Sequence, residues 1–289
     1  MKKIGKGIGV FVGGILAILL ISFGFVYLLS SNRMQKRYSA ATGSEQFTIP
    51  TDPASIEEGK RLYFSRGCVD CHGKNLAGNI FVDDPAIGRF AGSNLTRETN
   101  TFGFARAIRR GIGVDGRSLI FMPSTDYSGL SDEDTGRIIS FIKSQPKVDQ
   151  PSIRQNVGPI GRLLFVLGKL PILVAAELIS DENKAPERVH PAVSIEYGHY
   201  ISESCTGCHG SDLSGGPIPG APPEWPPAQS ITGKALSKWN EQQFIQAIKT
   251  GKRPDGSTMK APMPWENFAY MNDTELKALW LYLKSTPSN

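Results

Sequence analysis

Two short segments constrain this chain more than any other feature. Cys68-Val-Asp-Cys71-His72 and Cys205-Thr-Gly-Cys208-His209 hold all four cysteines and lie 137 residues apart. On a helical turn, positions i, i+3 and i+4 share one face. Each segment therefore presents two thiols and an imidazole in the same direction. A zinc site would need the two cysteine pairs together, yet a domain's length of chain separates them. A redox-active dithiol would follow a strand in a thioredoxin-like pattern, which is missing here. Structural disulfides suit a compartment outside the cytoplasm. None of these three chemistries calls for a histidine directly after both pairs. Covalent attachment of c-type haem does. The segments thus predict two haems, bound through Cys68 and Cys71, and through Cys205 and Cys208. His72 and His209 would be the proximal iron ligands.

The surroundings of the two segments repeat. Gly59-Lys-Arg-Leu-Tyr63 leads into the first and Gly198-His-Tyr-Ile201 into the second, with a two-residue difference in the Gly-to-Cys spacing. Asn100–Gly116 matches Asn240–Gly256 at a constant offset of 140, and Met122-Pro123 matches Met263-Pro264 after a one-residue insertion. The period is a whole domain, so this is a duplication and not a solenoid. Met122 follows His72 by 50 residues, and Met263 follows His209 by 54. Thioether sulfur is a soft ligand that suits haem iron. A methionine beside proline can also simply fill core space. The double occurrence favours Met122 and Met263 as the second axial ligands. Met271 aligns with Leu130 and reads as core. His190, in a proline-flanked linker, and His199 read as solvated. Arg106, Arg109 and Arg110 occupy positions matched by Lys249, Lys252 and Arg253. They read as solvated helix ends with a favourable dipole, or as partners of haem propionates or of an acidic protein.

The patterning is helical. Asn240 with Gln243, Ser131 with Asp134, and Asn272 with Glu275 mark helix starts. Gly111 and Gly251 mark helix ends. Ile138, Ile139, Phe141 and Ile142 recur at helical spacing, as do Leu276, Leu279 and Leu283. No convincing period-2 strand is present, so the expected fold class is all-α.

Residues Gly7–Ser31 carry no charge, and 25 residues suffice to span a bilayer. Lysines precede this stretch and Arg33, Lys36 and Arg37 follow it, so charge does not set its topology. A cleaved signal peptide has a shorter apolar core, and the length favours a retained anchor. The net charge of +5 arises in residues 1–50, while the rest is balanced, which removes the electrostatic case for nucleic acid. The expected layout is a cytoplasmic N-terminus (1–6), a transmembrane anchor (7–31), a linker (32–50), a first domain (51–148), a connector (149–190) and a second domain (191–289). The apolar stretch 156–180 is interrupted by Arg162, Lys169 and Pro171. It reads as a connector helix packed in the cleft between domains, or as a surface that docks on the membrane or a partner subunit.

Residues 51–146 and 191–289 each resemble a class I cytochrome c domain. The resemblance rests on the early glycine, Cys-x-x-Cys-His-Gly, the later Met-Pro and an amphipathic last helix. It implies that the first and last helices cross, with Gly59 beside Phe141 and Gly198 beside Tyr282. The tandem arrangement is similar to the cytochrome subunits of membrane-bound periplasmic dehydrogenases, which often carry three haems. It implies outer-sphere electron transfer, not catalysis. Expected partners are a dehydrogenase or quinol-oxidising complex on one side and a soluble cytochrome or terminal oxidase on the other. The haem domains are expected on the periplasmic face of the cytoplasmic membrane. Two other readings stand: a two-haem enzyme, thiosulfate-dehydrogenase-like or peroxidase-like, with one open or labile haem, and a membrane-tethered sensor.

Overall fold

The computed structural model describes residues 2–38, 47–98, 100–180, 184–221 and 224–287. Helix α1 (Lys2–Met34) contains one long apolar stretch, Gly9–Met34, with a mean hydropathy of 2.5. At 1.5 Å per residue, its 26 residues reach roughly 39 Å, long enough for a membrane anchor. The helix continues through Met34 into the expected linker, and residues 39–46 of that linker lie outside the described residues.

The first domain is built from α2 (Pro53–Ser65), α3 (Cys68–His72), α4 (Thr101–Arg110) and α5 (Asp132–Ser144). The second has α7 (Ile195–His209), α8 (Glu241–Thr250), α9 (Trp265–Phe268) and α10 (Asp273–Ser285). Side-chain caps start these helices as their sequences imply. Asn240 with Gln243 and Asn272 with Glu275 form reciprocal capping boxes, and the Ser131 hydroxyl accepts from the Asp134 N–H. Gly111 and Gly251 end α4 and α8 in the left-handed conformation.

In each domain the first and last helices cross where glycine leaves room. A methyl group at Gly59 would collide with the Arg137 carbonyl of α5. One at Gly198 would meet the Ala278 carbonyl and sit 2.6 Å from Cβ of Tyr282. Tyr282 is thus beside Gly198 as expected; Phe141, one turn beyond Arg137 as Tyr282 is one turn beyond Ala278, packs on the ring of Tyr63, 5.4 Å between centroids. Around each crossing lies a separate apolar core: Leu62, Tyr63, Phe104, Ile138, Ile139 and Phe141 in one, and Ile201, Phe244, Leu276, Leu279, Trp280 and Leu283 in the other.

Small strands depart from the all-α expectation, although the chain remains mostly helical. β1 (Ile80–Asp84), β2 (Gly88–Ala91) and β3 (Asn156–Val157) form an antiparallel sheet in the order β1-β2-β3. The Asp84 carboxylate accepts from the N–H groups of Ala86 and Ile87 and closes the β1–β2 turn. The strands are too short to show a period-2 pattern. At the corresponding place in the second copy, the described residues show a single bridge, between Gly216 and Ala228. Its prolines there, including Pro217, Pro219 and Pro227, supply no N–H to a ladder.

The connector does not occupy the cleft between domains as its main site. β3 joins the sheet of the first domain. Helix α6 (Pro159–Val166) and the 3-10 segment Pro171–Glu177 then pack Phe165, Leu170, Leu173 and Val174 against Phe90, Phe121 and Met34. The two pieces meet at a bend of 58°.

The domains face each other reciprocally. The turn after Met122-Pro123 packs on α7, and α9, the turn after Met263-Pro264, packs on α2. Asn267 of α9 donates to both carboxylate oxygens of Asp70 at 2.8 Å, inside the first cysteine motif. Asp126, at the position matching Asn267, lies against Gly207 inside the second motif, where an added methyl would be 2.6 Å away. Arg61 forms an ion pair with Glu275 at 2.5 Å, Phe64 stacks on Tyr270 at 4.6 Å, and the Tyr200 hydroxyl donates to Asp134 at 2.7 Å.

Two changes test this packing. Gly198→Ala should cost about 2–3 kcal/mol by forcing α7 away from α10, read as a lower denaturation midpoint of the detergent-solubilised protein. Arg61→Ala leaves Glu275, which is 1 % exposed, without its cation across the interface. Because Glu275 keeps the Asn272 N–H and Arg61 is partly exposed, the loss should be about 2–3 kcal/mol, below that of a fully buried pair. Chemical denaturation of this variant checks it.

Candidate haem sites

The cysteine segments are helical in both copies, but they are entered differently. In the second copy α7 runs unbroken from Ile195 through Cys205 and Cys208 to His209. In the first, α2 stops at Ser65, Arg66 follows, and Gly67 takes a left-handed φ of 76° before α3 begins at Cys68. Arg66-Gly67 accounts for the two extra residues between Gly59 and Cys68. Each histidine ring is fixed from behind. Nδ1 of His72 donates to the Ser93 carbonyl at 3.0 Å, and Nδ1 of His209 donates to the Gln229 carbonyl at 2.6 Å. A carbonyl only accepts, so Nδ1 carries the proton and Nε2 is left as a metal ligand. Burial holds both imidazoles below the ordinary histidine pKa, which favours the neutral, ligating form.

The loop after each motif repeats residue for residue. Gly73 and Gly210 have φ of 76° and 81°, and Leu76 and Leu213 adopt φ of 60° and 62°. The Gly78 N–H returns to the His72 carbonyl, as the Gly215 N–H does to His209. Positive φ is uncommon outside glycine, so the paired leucines mark one imposed loop shape. The methionine turns repeat as well. Pro123 and Pro264 have φ/ψ of −79°/54° and −87°/56°. The Ser124 N–H reaches the Met122 carbonyl, and the Trp265 N–H reaches Met263. Met122 packs partly buried against the first core, and Met263 packs likewise against the second.

Other expected side chains have structural employment. Met271 is core, and His190 and His199 are exposed. Arg109 and Arg110 are buried instead of solvated; Arg109 pairs with Asp132 at 2.5 Å and Arg110 donates to the Ser180 carbonyl. Lys249 donates to the carbonyls of Ala269 and Met271. The residue that sequence reasoning missed is Arg66. Only 4 % exposed, it lies two positions before Cys68 and donates to the Ile201 carbonyl and Ser204 hydroxyl just before Cys205. Its guanidinium also faces the ring of Tyr200, 5.3 Å from the centroid. The extra Arg66-Gly67 in the repeat is the signal that points to it.

The thiol environments differ from those of a reactive dithiol. Burial pushes Cys68, Cys71 and Cys205 up to about 12, against the low values of reactive dithiols. Among the described residues, no three His, Cys, Asp or Glu side chains gather to hold a metal. The donor set instead fits covalent haem, with two thiols and one Nε2 on a single helical face and a thioether-bearing turn in the same domain.

Comparison with known proteins agrees with this fit. The cytochrome c family profile matches residues 56–146 and again 196–287, and the chain belongs to that family, with covalently bound c-type haem in both repeats. Among curated proteins it is 27 % identical to the fructose dehydrogenase cytochrome subunit of Gluconobacter japonicus, over 83 % of this chain and 55 % of that protein. It is 24 % identical to the alcohol dehydrogenase (quinone) cytochrome c subunit of Gluconobacter oxydans, over 82 % and 56 %. It is 26 % identical to a subunit of the nicotinate dehydrogenase of Pseudomonas putida, over 80 % of this chain and 21 % of that protein. The chain thus spans about half the length of the first two relatives and a fifth of the third.

Asp126 gives the site a pH signature. Burial raises its carboxyl from 3.8 to about 6, with Glu203 adding repulsion and a hydrogen bond from Thr125 opposing the shift. A carboxyl raised on folding binds its proton more tightly in the native state. Stability therefore falls as pH rises from about 4 to about 6 and is level above. Asp126→Asn should abolish that fall and add about 2 kcal/mol at pH 7.5, with little change at pH 4. Denaturant titrations at the two pH values read it directly.

Proposed function

We propose that this chain is a membrane-anchored, two-haem electron carrier serving a dehydrogenase. Cys68 and Cys71 would attach the first haem, and His72 and Met122 would ligate its iron. Cys205 and Cys208 would attach the second, and His209 and Met263 would ligate its iron. When bound, each haem supplies a one-electron Fe(III)/Fe(II) couple. The protein's own residues do the rest. The cysteines would fix each haem to a helix, the Ser93 and Gln229 carbonyls hold the imidazoles in one tautomer, and the methionines would supply each iron with a second protein ligand, so that no substrate needs to bind there. Thioether ligation raises the potential. The observation that carries this reading is the repetition of both halves of the ligand set: the same histidine–carbonyl bond and the same Met-Pro backbone recur in two domains of different sequence.

The relatives, all components of dehydrogenases, favour a dehydrogenase or quinol-oxidising complex as electron donor. A soluble cytochrome or terminal oxidase fits as acceptor. Haem attachment outside the cytoplasm puts residues 32–289 on the periplasmic side of the cytoplasmic membrane, with α1 as the single anchor. The reading makes the chain an electron-transfer subunit and not itself an enzyme.

Anaerobic redox titration with absorption spectra tests the ligand set. The oxidised wild type should show a sulfur-to-iron band in the far red. Met122→Ala and Met263→Ala should each remove about half of it and lower the potential of one haem only. A high-spin haem in the wild type that binds cyanide readily would overturn the closed-carrier reading in favour of a two-haem enzyme.

A further inference from the structure

The end of α1 is bolted to the connector. Arg33 forms an ion pair with Glu177 at 2.5 Å, donates to the Phe165 carbonyl, and lies 3.8 Å over the Phe165 ring. Arg162 of α6 donates to the hydroxyls of Ser30 and Ser31 at 2.8 and 2.9 Å and lies 4.2 Å over the ring of Tyr27. Tyr27, Ser30 and Ser31 belong to the last two turns of the uncharged apolar span. Helix α6 therefore packs against the final turns of the anchor, and these bonds set its depth.

Among the described residues, none covers one face of this segment. Gly161 and Phe165 are buried, Gly161 against the Ile87 carbonyl. Ile160, Leu163 and Leu167 are 49 %, 42 % and 61 % exposed. They are spaced by three and four residues and so form one apolar stripe. Leu178, at the end of the following 3-10 segment, is exposed as well, and exposed Lys169 lies two residues beyond Leu167. On α1 at the same level, Phe25 and Leu28 are also open. The stripe thus continues an apolar surface already assigned to lipid.

We propose that the Ile160–Leu163–Leu167 stripe lies in the outer lipid boundary of the bilayer and makes α6 a second membrane contact. This rests on the reading of α1 as the anchor. An in-plane helix with apolar side chains down and a lysine toward the headgroups is the usual form of interfacial binding. The buried Phe165 and the polar Arg162 contacts then hold the first domain directly over the bilayer surface.

The test uses the full haem-loaded chain in phosphatidylethanolamine/phosphatidylglycerol proteoliposomes. Nitroxide labels are placed at Leu163→Cys, Leu167→Cys, Leu19→Cys and Leu281→Cys, the native thiols being consumed by haem. Unchanged haem spectra verify folding. Oxygen collisions should exceed those of a water-soluble nickel complex at Leu163 and Leu167, as at Leu19, and the order should reverse at Leu281. A lipid signal at Leu19 with an aqueous one at Leu163 and Leu167 overturns the interfacial helix alone. Poor access of both reagents to Leu163 and Leu167 means that a protein surface covers the stripe, and it too overturns the proposal. An aqueous signal at Leu19 removes the anchor reading and this proposal with it.

Discussion

The contact on which the rest depends is the crossing of first and last helices at Gly59 and Gly198. A helix pair ordinarily meets at 8–10 Å between axes. Here backbone lies on backbone, with the Arg137 and Ala278 carbonyls where a side chain would otherwise begin. That approach defines the two apolar cores. It also fixes where the cysteine segments emerge, since they follow directly from the crossing helices. The histidine–carbonyl bonds and the left-handed leucines then shape each loop. The haem sites are thus consequences of helix packing before they are features of their own residues.

Much of this was legible in the chain itself. The cysteine-histidine segments, the paired Met-Pro turns and the capping residues each obey local rules, so their positions carried through to structure. What did not carry through was non-local. The strands around Asp84 pair over so few residues that alternation has no room to show, and β3 exists only because the connector folds back. The connector's own placement depends on Arg33 meeting Glu177, 144 residues away, which no periodicity could signal. Arg109 and Arg110 looked like a solvated helix end because they are charged. They are buried because Asp132 and the Ser180 carbonyl receive them.

Duplication has been put to use at the interface. Asp126 and Asn267 descend from one position, as do Asp70 and Gly207. The two contacts they make are geometrically alike and chemically different. Asn267 donates to a carboxylate, whereas Asp126 places its own carboxylate against a glycine. One side of the interface is therefore satisfied by hydrogen bonds and the other carries a raised acid. Arg66 breaks the symmetry further, because it has no counterpart in the continuous α7. It sets a buried positive charge near both cysteine segments. The two cysteine segments thus sit in electrostatically different surroundings even though the loops that follow them match.

The bonds from Arg33 and Arg162 have a mechanical consequence. An anchor joined to its cargo by a loose linker lets the cargo sweep a hemisphere above the membrane. Here the final turns of α1 are pinned to α6 and to the core beneath Phe165, so the first domain is mounted like a head on a mast. Its height and tilt above the bilayer are set by the fold, and the second domain inherits them through Arg61 and Glu275. On the proposed anchoring, redox partners would meet the protein at one altitude and from a restricted set of directions. Lateral drift in the plane of the membrane, not reach, would then be the means by which encounters happen.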